Sequence, residues 1–178
     1  LDGDVDLAVE ELIWGRMYNT GQVCCASKRF LIHQSRAEEF TEKAVARIKQ
    51  LKQGMPSDEA TQIGCLISEK AAKTVEEQIA LTVKQGGKVI LGGKRNGAFI
   101  EPTVITGVPK SADVATDMEI FGPVVPIITF ETEEEAIEIA NSSKFGLCGC
   151  VFTENMKTAL RVCNALECGG TVINGTRS

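Results

Sequence analysis

The chain has 178 residues, 43 % of them hydrophobic and 24 % charged, an ordinary globular composition for one large domain or two small ones. A net charge of −5 and a pI near 5.1, with no basic cluster, argue against nucleic acid or an anionic membrane surface as the main partner. No apolar run approaches the ~20 residues a bilayer span needs, and seven irregularly spaced cysteines read as reduced thiols of a cytoplasmic protein, not as a disulfide framework.

Asp2 and Asp4 are placed to cap or charge a helix start, after which Val5, Val9, Leu12 and Ile13 recur at helical spacing toward Trp14 and Met17. Gly21 stops that run, and a thiol-bearing turn over 19–26 leads into a short strand over 30–33. Ser35 and Glu38 form a capping box for a helix with Phe40, Ala44, Ile48 and Leu51 on one face. A polar loop over 56–64 precedes Ser68, which caps a helix carrying Ala72, Val75, Ile79 and Val83 inward and ending at Gly86 and Gly87. A strand over 88–91, turn chemistry over 92–97 and an extended stretch around Pro102 follow. The β-branched run 124–130 predicts a strand buried on both faces. Thr132 and Glu135 form a second capping box, opening a helix with Ala136, Ile137 and Ala140 inward. A strand over 148–152, a helix with Leu160, Cys163 and Leu166 inward, and a closing strand over 171–174 complete the chain. This alternation predicts one α/β domain with a largely parallel sheet covered by helices.

Two stretches offer chemistry. In Gly21-Gln22-Val23-Cys24-Cys25, a glycine lets the backbone turn tightly, and N–H groups freed at the turn can stabilise a thiolate or an oxyanion. The alternative is that Cys24 and Cys25 are small buried hydrophobes. In Glu119-Ile120-Phe121-Gly122-Pro123, an acid and an aromatic ring two residues apart point to one side if the segment is extended. The glutamate can accept hydrogen bonds from ribose hydroxyls and the ring can pack on a flat heteroaromatic; an ordinary turn is the alternative. Cys148, Cys150 and Cys163 fit apolar faces, and their spacing does not suit structural zinc, so no metal site is expected. His33, the only histidine, leaves a Cys–His pairing open, and no glycine-rich phosphate loop of the required spacing occurs.

Gly21-Gln22-Val23-Cys24 and Glu119-Ile120-Phe121-Gly122-Pro123, in this order and separation, resemble the two signatures of the aldehyde dehydrogenase superfamily. The resemblance continues through Asp4-Val5-Asp6-Leu7-Ala8-Val9-Glu10, Phe99-Ile100-Glu101-Pro102-Thr103, Phe145-Gly146-Leu147, Val151-Phe152-Thr153 and Gly170-Thr171-Val172-Ile173-Asn174, so it covers nearly the whole chain. It implies a three-layer αβα catalytic domain over residues 1–178. It also implies that Cys24 is the nucleophile, passing through a thiohemiacetal and a thioester that water hydrolyses. Glu119 would bind the nicotinamide ribose, and Phe121 would position the nicotinamide ring of NAD or NADP. Cys25 would face the substrate pocket without a required role. The partners implied are a small aldehyde and further copies of the chain in a homo-oligomer.

The same resemblance places the general-base glutamate, the oxyanion asparagine and the dinucleotide-binding domain before Leu1, and an oligomerisation segment after Asn174. The chain therefore reads as a catalytic-domain fragment, expected to be inactive by itself within an active parent. The stretch from Tyr18 to Phe30 is most similar to succinate-semialdehyde-type members, which points to succinate semialdehyde or another small aldehyde. Two alternatives stand beside this: a dehydrogenase that passes the acyl group to coenzyme A, and a non-catalytic oligomerising module of the same fold.

Overall fold

The structure is a computed structural model in which residues 2–176 are described; Leu1, Arg177 and Ser178, at the expected fragment boundaries, lie outside the described residues. The first helix, α1 (Val5–Leu12), starts where Asp4 Oδ1 accepts the Leu7 N–H at 3.1 Å, and it buries Val5, Val9 and Leu12. Beyond Leu12 the coil widens into a π-helical turn (Ile13–Met17) and then tightens into a 3-10 turn (Tyr18–Gly21). Such irregular turns concentrate at functional sites.

The chain then lays down β1 (Phe30–His33), α2 (Ala37–Ile48), α3 (Glu69–Lys84), β2 (Lys88–Leu91), the short pair β3 (Arg95–Asn96) and β4 (Phe99–Ile100), β5 (Thr103–Thr106) and β6 (Val124–Phe130). Four of these strands form a sheet in the order β1-β6-β5-β2. The central strand β6 runs parallel to both β1 and β5, while β2 closes the edge antiparallel to β5. The remainder is α4 (Glu133–Asn141), β7 (Cys148–Val151), α5 (Met156–Ala165) and β8 (Gly170–Ile173), with β7 and β8 forming a separate parallel pair.

Alternation along β6 builds the layers. Val125 and Ile127 face Val5, Val9 and Leu12 of α1 and Phe40, Ala44 and Ile48 of α2, whereas Val124 and Ile128 face Ala72, Val75 and Ile79 of α3 and Ile139 of α4. The sheet is therefore sandwiched between helices, and the fold is the expected α/β arrangement with a largely parallel sheet. Pro126 is tolerated in this central strand because β1 begins pairing only at Ile127, one residue beyond it.

Several local expectations are corrected. Ser35 does not cap α2: a 3-10 turn (Gln34–Arg36) intervenes, with the Ser35 N–H bonded to His33, and α2 begins after Arg36 without a side-chain cap. Val83 and Leu160 are 44 % and 52 % exposed, and their places inside are taken by Thr82 and Ala159. In α4 the buried residue is Ile139, while Ala136, Ile137 and Ala140 are half-buried. Cys148, expected on an apolar face, is exposed. The capping oxygens of Ser68 and Thr132 do accept from Ala71 and Glu135, but Glu135 reaches back to the Glu131 N–H, one residue earlier than a capping box requires.

The β7–β8 pair is tied to the start of the chain. Thr153 Oγ1 donates to Asp2 Oδ1 at 2.7 Å, Asn174 Oδ1 accepts the Thr153 N–H at 3.0 Å, and Thr176 Oγ1 donates to the Glu11 carboxylate at 2.7 Å.

Candidate active site

The thiol turn precedes β1, and the Glu119–Pro123 segment precedes β6. Because β1 and β6 are parallel neighbours, both stretches come to the amino ends of the same pair of strands. This is the opposite edge from the carboxyl-end crevice used by most open α/β sheets.

The turn is strained. Asn19, Thr20 and Gly21 take φ values of 48°, 57° and 75°, a left-handed conformation that is uncommon for a β-branched residue. Such strain costs on the order of 1–3 kcal/mol per residue and persists only where the surroundings over-determine it. Here they do so on three sides. Thr20 is buried and its Oγ1 accepts the Gly64 N–H at 3.0 Å. Gln22 straps the turn to the neighbouring loop, its Oε1 accepting the Ile67 N–H at 2.8 Å and its Nε2 donating to the Asn19 carbonyl at 3.2 Å. Gly21 lies so close to the other motif that a β-carbon there would run into the Gly122 carbonyl oxygen.

Arg16, on the π-helical turn, bolts the two stretches together from beneath. It has no exposed surface, and its guanidinium donates to the Ser27 carbonyl at 3.1 Å, to the Ile120 carbonyl at 2.6 Å and to the Gly122 carbonyl. Burial pushes its pKa down to about 10, against the opposing field of Glu119, so it remains a cation at neutral pH.

Lys28 makes the second bolt, from above. Its Nζ donates to the Val23 carbonyl at 2.7 Å, lies 3.4 Å from Glu119 Oε1, and stands 4.3 Å from the centroid of the Phe121 ring. Burial, with the Arg16 charge beside it, pulls its pKa below the ordinary lysine value, and Glu119 opposes that shift. The next residue, Arg29, donates to the Ile139 and Ala140 carbonyls at 2.8 Å each, satisfying the carboxyl end of α4, and to the Ala115 carbonyl at 3.1 Å.

Around these cations the expected site residues gather. Cys24 and Cys25 are both exposed at the turn, which sets aside the buried-thiol alternative for them. Phe121 is 41 % exposed, and the Glu119 side chain is 28 % exposed on the same Lys28 ammonium. Lys28 thus links the backbone of the thiol turn to an accessible carboxylate acceptor and an open aromatic face, groups of the kind that ribose hydroxyls and a flat heteroaromatic ring call for. Among the described residues, no cluster of three or more His, Cys, Asp or Glu side chains is placed to hold a metal.

His33 is not brought to the thiols. It closes the far end of β1, with Nδ1 2.9 Å from Ser35 Oγ and Nε2 3.0 Å from the Glu131 carbonyl. All seven cysteines are free, and burial pushes the Cys150 thiol up to about 11, with Cys148 adding to the shift, which suits an inert thiol.

Arg16, Gln22, Lys28 and Arg29 are the site residues that sequence reasoning missed. Arg16 carried a signal: it falls four residues after Leu12 on the stripe of Val5 and Val9, so a charge stood on a buried face. Lys28 carried none, because Glu119 and Phe121 lie on a distant stretch and its local partner, the Val23 carbonyl, is backbone that no side-chain pattern marks.

Comparison with known proteins points the same way. A sequence profile of the "Aldehyde dehydrogenase family" matches residues 1–178. The chain is 42 % identical over 175 residues to a lactaldehyde dehydrogenase of Methanococcus aeolicus, covering 98 % of this chain and 37 % of that protein. It is 39 % identical over 177 residues to the Escherichia coli K12 succinate semialdehyde dehydrogenase [NAD(P)+] Sad, covering 98 % and 38 %. Among solved structures, glyceraldehyde-3-phosphate dehydrogenase GapN from Methanocaldococcus jannaschii, complexed with NADP, superposes with a TM-score of 0.94 at 40 % identity, covering 98 % of this chain and 38 % of that one. The chain thus spans little more than a third of the length of these relatives.

Proposed function

Since the chain belongs to the aldehyde dehydrogenase family, we propose that it supplies the thiol half of an NAD(P)-dependent oxidation of a small aldehyde to a carboxylic acid, within a longer protein. The observation that carries this reading is the double bolt of Arg16 and Lys28. It ties the backbone of the turn that carries the exposed Cys24 to the segment that carries Glu119 and Phe121.

In this mechanism the Cys24 thiolate attacks the aldehyde carbon, forming the C–S bond of a thiohemiacetal. The developing oxyanion meets the Cys24 backbone N–H, which the strained turn holds in place. Bound NAD or NADP supplies the acceptor for the hydride that leaves the thiohemiacetal carbon. Glu119 would accept hydrogen bonds from its ribose hydroxyls and Phe121 would hold its nicotinamide ring. Water then cleaves the Cys24 thioester, releasing the acid and regenerating the thiol.

The relatives' names cover lactaldehyde, succinate semialdehyde and glyceraldehyde 3-phosphate, all small aldehydes bearing a polar group. We extend that class to this protein, with succinate semialdehyde the first substrate to try. A homo-oligomeric assembly belongs to the same reading. So does a reducing, cytoplasmic setting, supported by seven unpaired thiols. No helix among the described residues is long and apolar enough to cross a membrane.

The test is a nicotinamide-reduction assay on the full-length protein with a panel of small aldehydes, with and without coenzyme A. Free acid as product, loss of at least about a thousandfold in turnover for Cys24→Ala, and a raised KM for the dinucleotide in Glu119→Gln are expected. Full turnover in Cys24→Ala sinks the mechanism, uniform preference for apolar aldehydes sinks the substrate class, and a coenzyme A thioester as product replaces water with that thiol.

A further inference from the structure

The ammonium of Lys28 does more than join two stretches of chain. The carbonyl it binds belongs to Val23, and the other half of that peptide group is the Cys24 N–H. A trans peptide directs its C=O and N–H in opposite directions, so fixing one fixes the other. A cationic donor on a carbonyl also draws electron density from the amide and makes its N–H a stronger donor. The same carbonyl accepts the Ala26 N–H at 3.2 Å, so a second donor polarises it. Among the described residues the Cys24 N–H has no partner of its own and is left for a ligand.

We propose that Lys28 is the positioning residue of the oxyanion site: through the Val23 carbonyl it orients and polarises the Val23–Cys24 peptide, so that the Cys24 N–H receives the oxyanion formed when the thiol attacks a carbonyl. The inference rests on Cys24 being the nucleophile. Its chemical consequence is specific. The Lys28 charge acts on the Cys24 sulfur in every reaction of the thiolate, so the oxyanion effect is the part by which Lys28 matters more to reactions that pass through a tetrahedral oxyanion than to those that do not. The Glu119 contact at 3.4 Å and the Phe121 face at 4.3 Å hold the ammonium from the other side, which keeps it from turning out to solvent.

Two reagents separate these cases on the full-length protein. p-Nitrophenyl acetate acylates a thiolate: sulfur bonds to the acetyl carbon, an oxyanion forms, and the C–O bond breaks to release p-nitrophenolate. Iodoacetamide alkylates the same sulfur with loss of iodide and forms no oxyanion. The quantity read is the ratio of the acylation rate to the alkylation rate at Cys24, with the modified residue mapped by mass spectrometry.

Lys28→Met is expected to lower the ratio about tenfold, less than the 10²–10³ lost when an oxyanion donor is removed outright. Lys28→Gln, which keeps a neutral donor and the chain length and guards against a methionine variant that does not fold, should fall between, and Lys28→Arg should restore most of the ratio. A purely structural role would lower both rates together and leave the ratio alone. An unchanged ratio in folded Lys28→Gln or Lys28→Met overturns the inference. If neither reagent selects Cys24 in the wild-type protein, it is instead the assignment of the nucleophile that fails.

Discussion

A guanidinium with no exposed surface, set against three backbone carbonyls, makes Arg16 the residue on which the candidate site depends for its shape. Removing it leaves the Ile120 carbonyl buried without a donor, at about 1–3 kcal/mol, takes the bond from the Ser27 carbonyl, and leaves the Gly122 carbonyl with the Val124 N–H alone. Arg16→Met should therefore cost about 3 kcal/mol, or about 6–12 °C in melting temperature for a chain of this size, read by thermal unfolding. A variant that melts like the wild type would show that water or a shifted side chain replaces the donor. Cys24, Glu119 and Phe121 stand out as candidates through the resemblance that several linked motifs carry together, since either motif alone leaves a buried thiol or an ordinary turn open. The cations that hold the two stretches do not, since Lys28 meets its carboxylate and its ring through the parallel pairing of β1 with β6.

Elements were easier to read than their ends. Asp4, Ser68 and Thr132 each accept the N–H of the third residue of their helices, as residues of these types should. Ser35 misled because its hydroxyl and amide turn back to His33, a competing local bond that the Ser-x-x-Glu spacing cannot reveal. Direction was also hidden: nothing in 88–91 says that β2 runs antiparallel, because a short edge strand looks alike in either sense. α4 carries its own pH signature. Arg161, bonded to Glu133 at 2.7 Å, and Lys110, bonded to Glu135, hold both carboxyls below the usual glutamate value of 4.5. A depressed folded-state value means the stabilisation is complete above 4.5 and drains away as the pH falls through the folded values. Thermal melts should show wild type losing more stability than Glu133→Gln/Glu135→Gln between neutral pH and that acid range. The difference should shrink in about 1 M salt, where charges are screened within about 3 Å. Equal acid sensitivity would remove these pairs from the account of α4.

At the scale of the molecule, two helix layers enclose a four-stranded sheet, and one edge of that sheet presents the thiol turn. The 178-residue chain covers about 37 % of its Methanococcus aeolicus relative, and we expect it, expressed alone, to show no appreciable aldehyde-dependent nicotinamide reduction, whereas the full-length protein turns over. A steady-state assay of the two side by side decides this; comparable rates would mean that the chain carries every group the reaction needs. Gly21 leaves no room for a β-carbon against the Gly122 carbonyl. The two segments behave as halves of a single cassette: a library that randomises 19–23 against a fixed 119–123, or a graft that moves only one of them into another scaffold, will mostly return chains whose backbones no longer nest. Engineers who wish to reshape this thiol's surroundings must transplant both together.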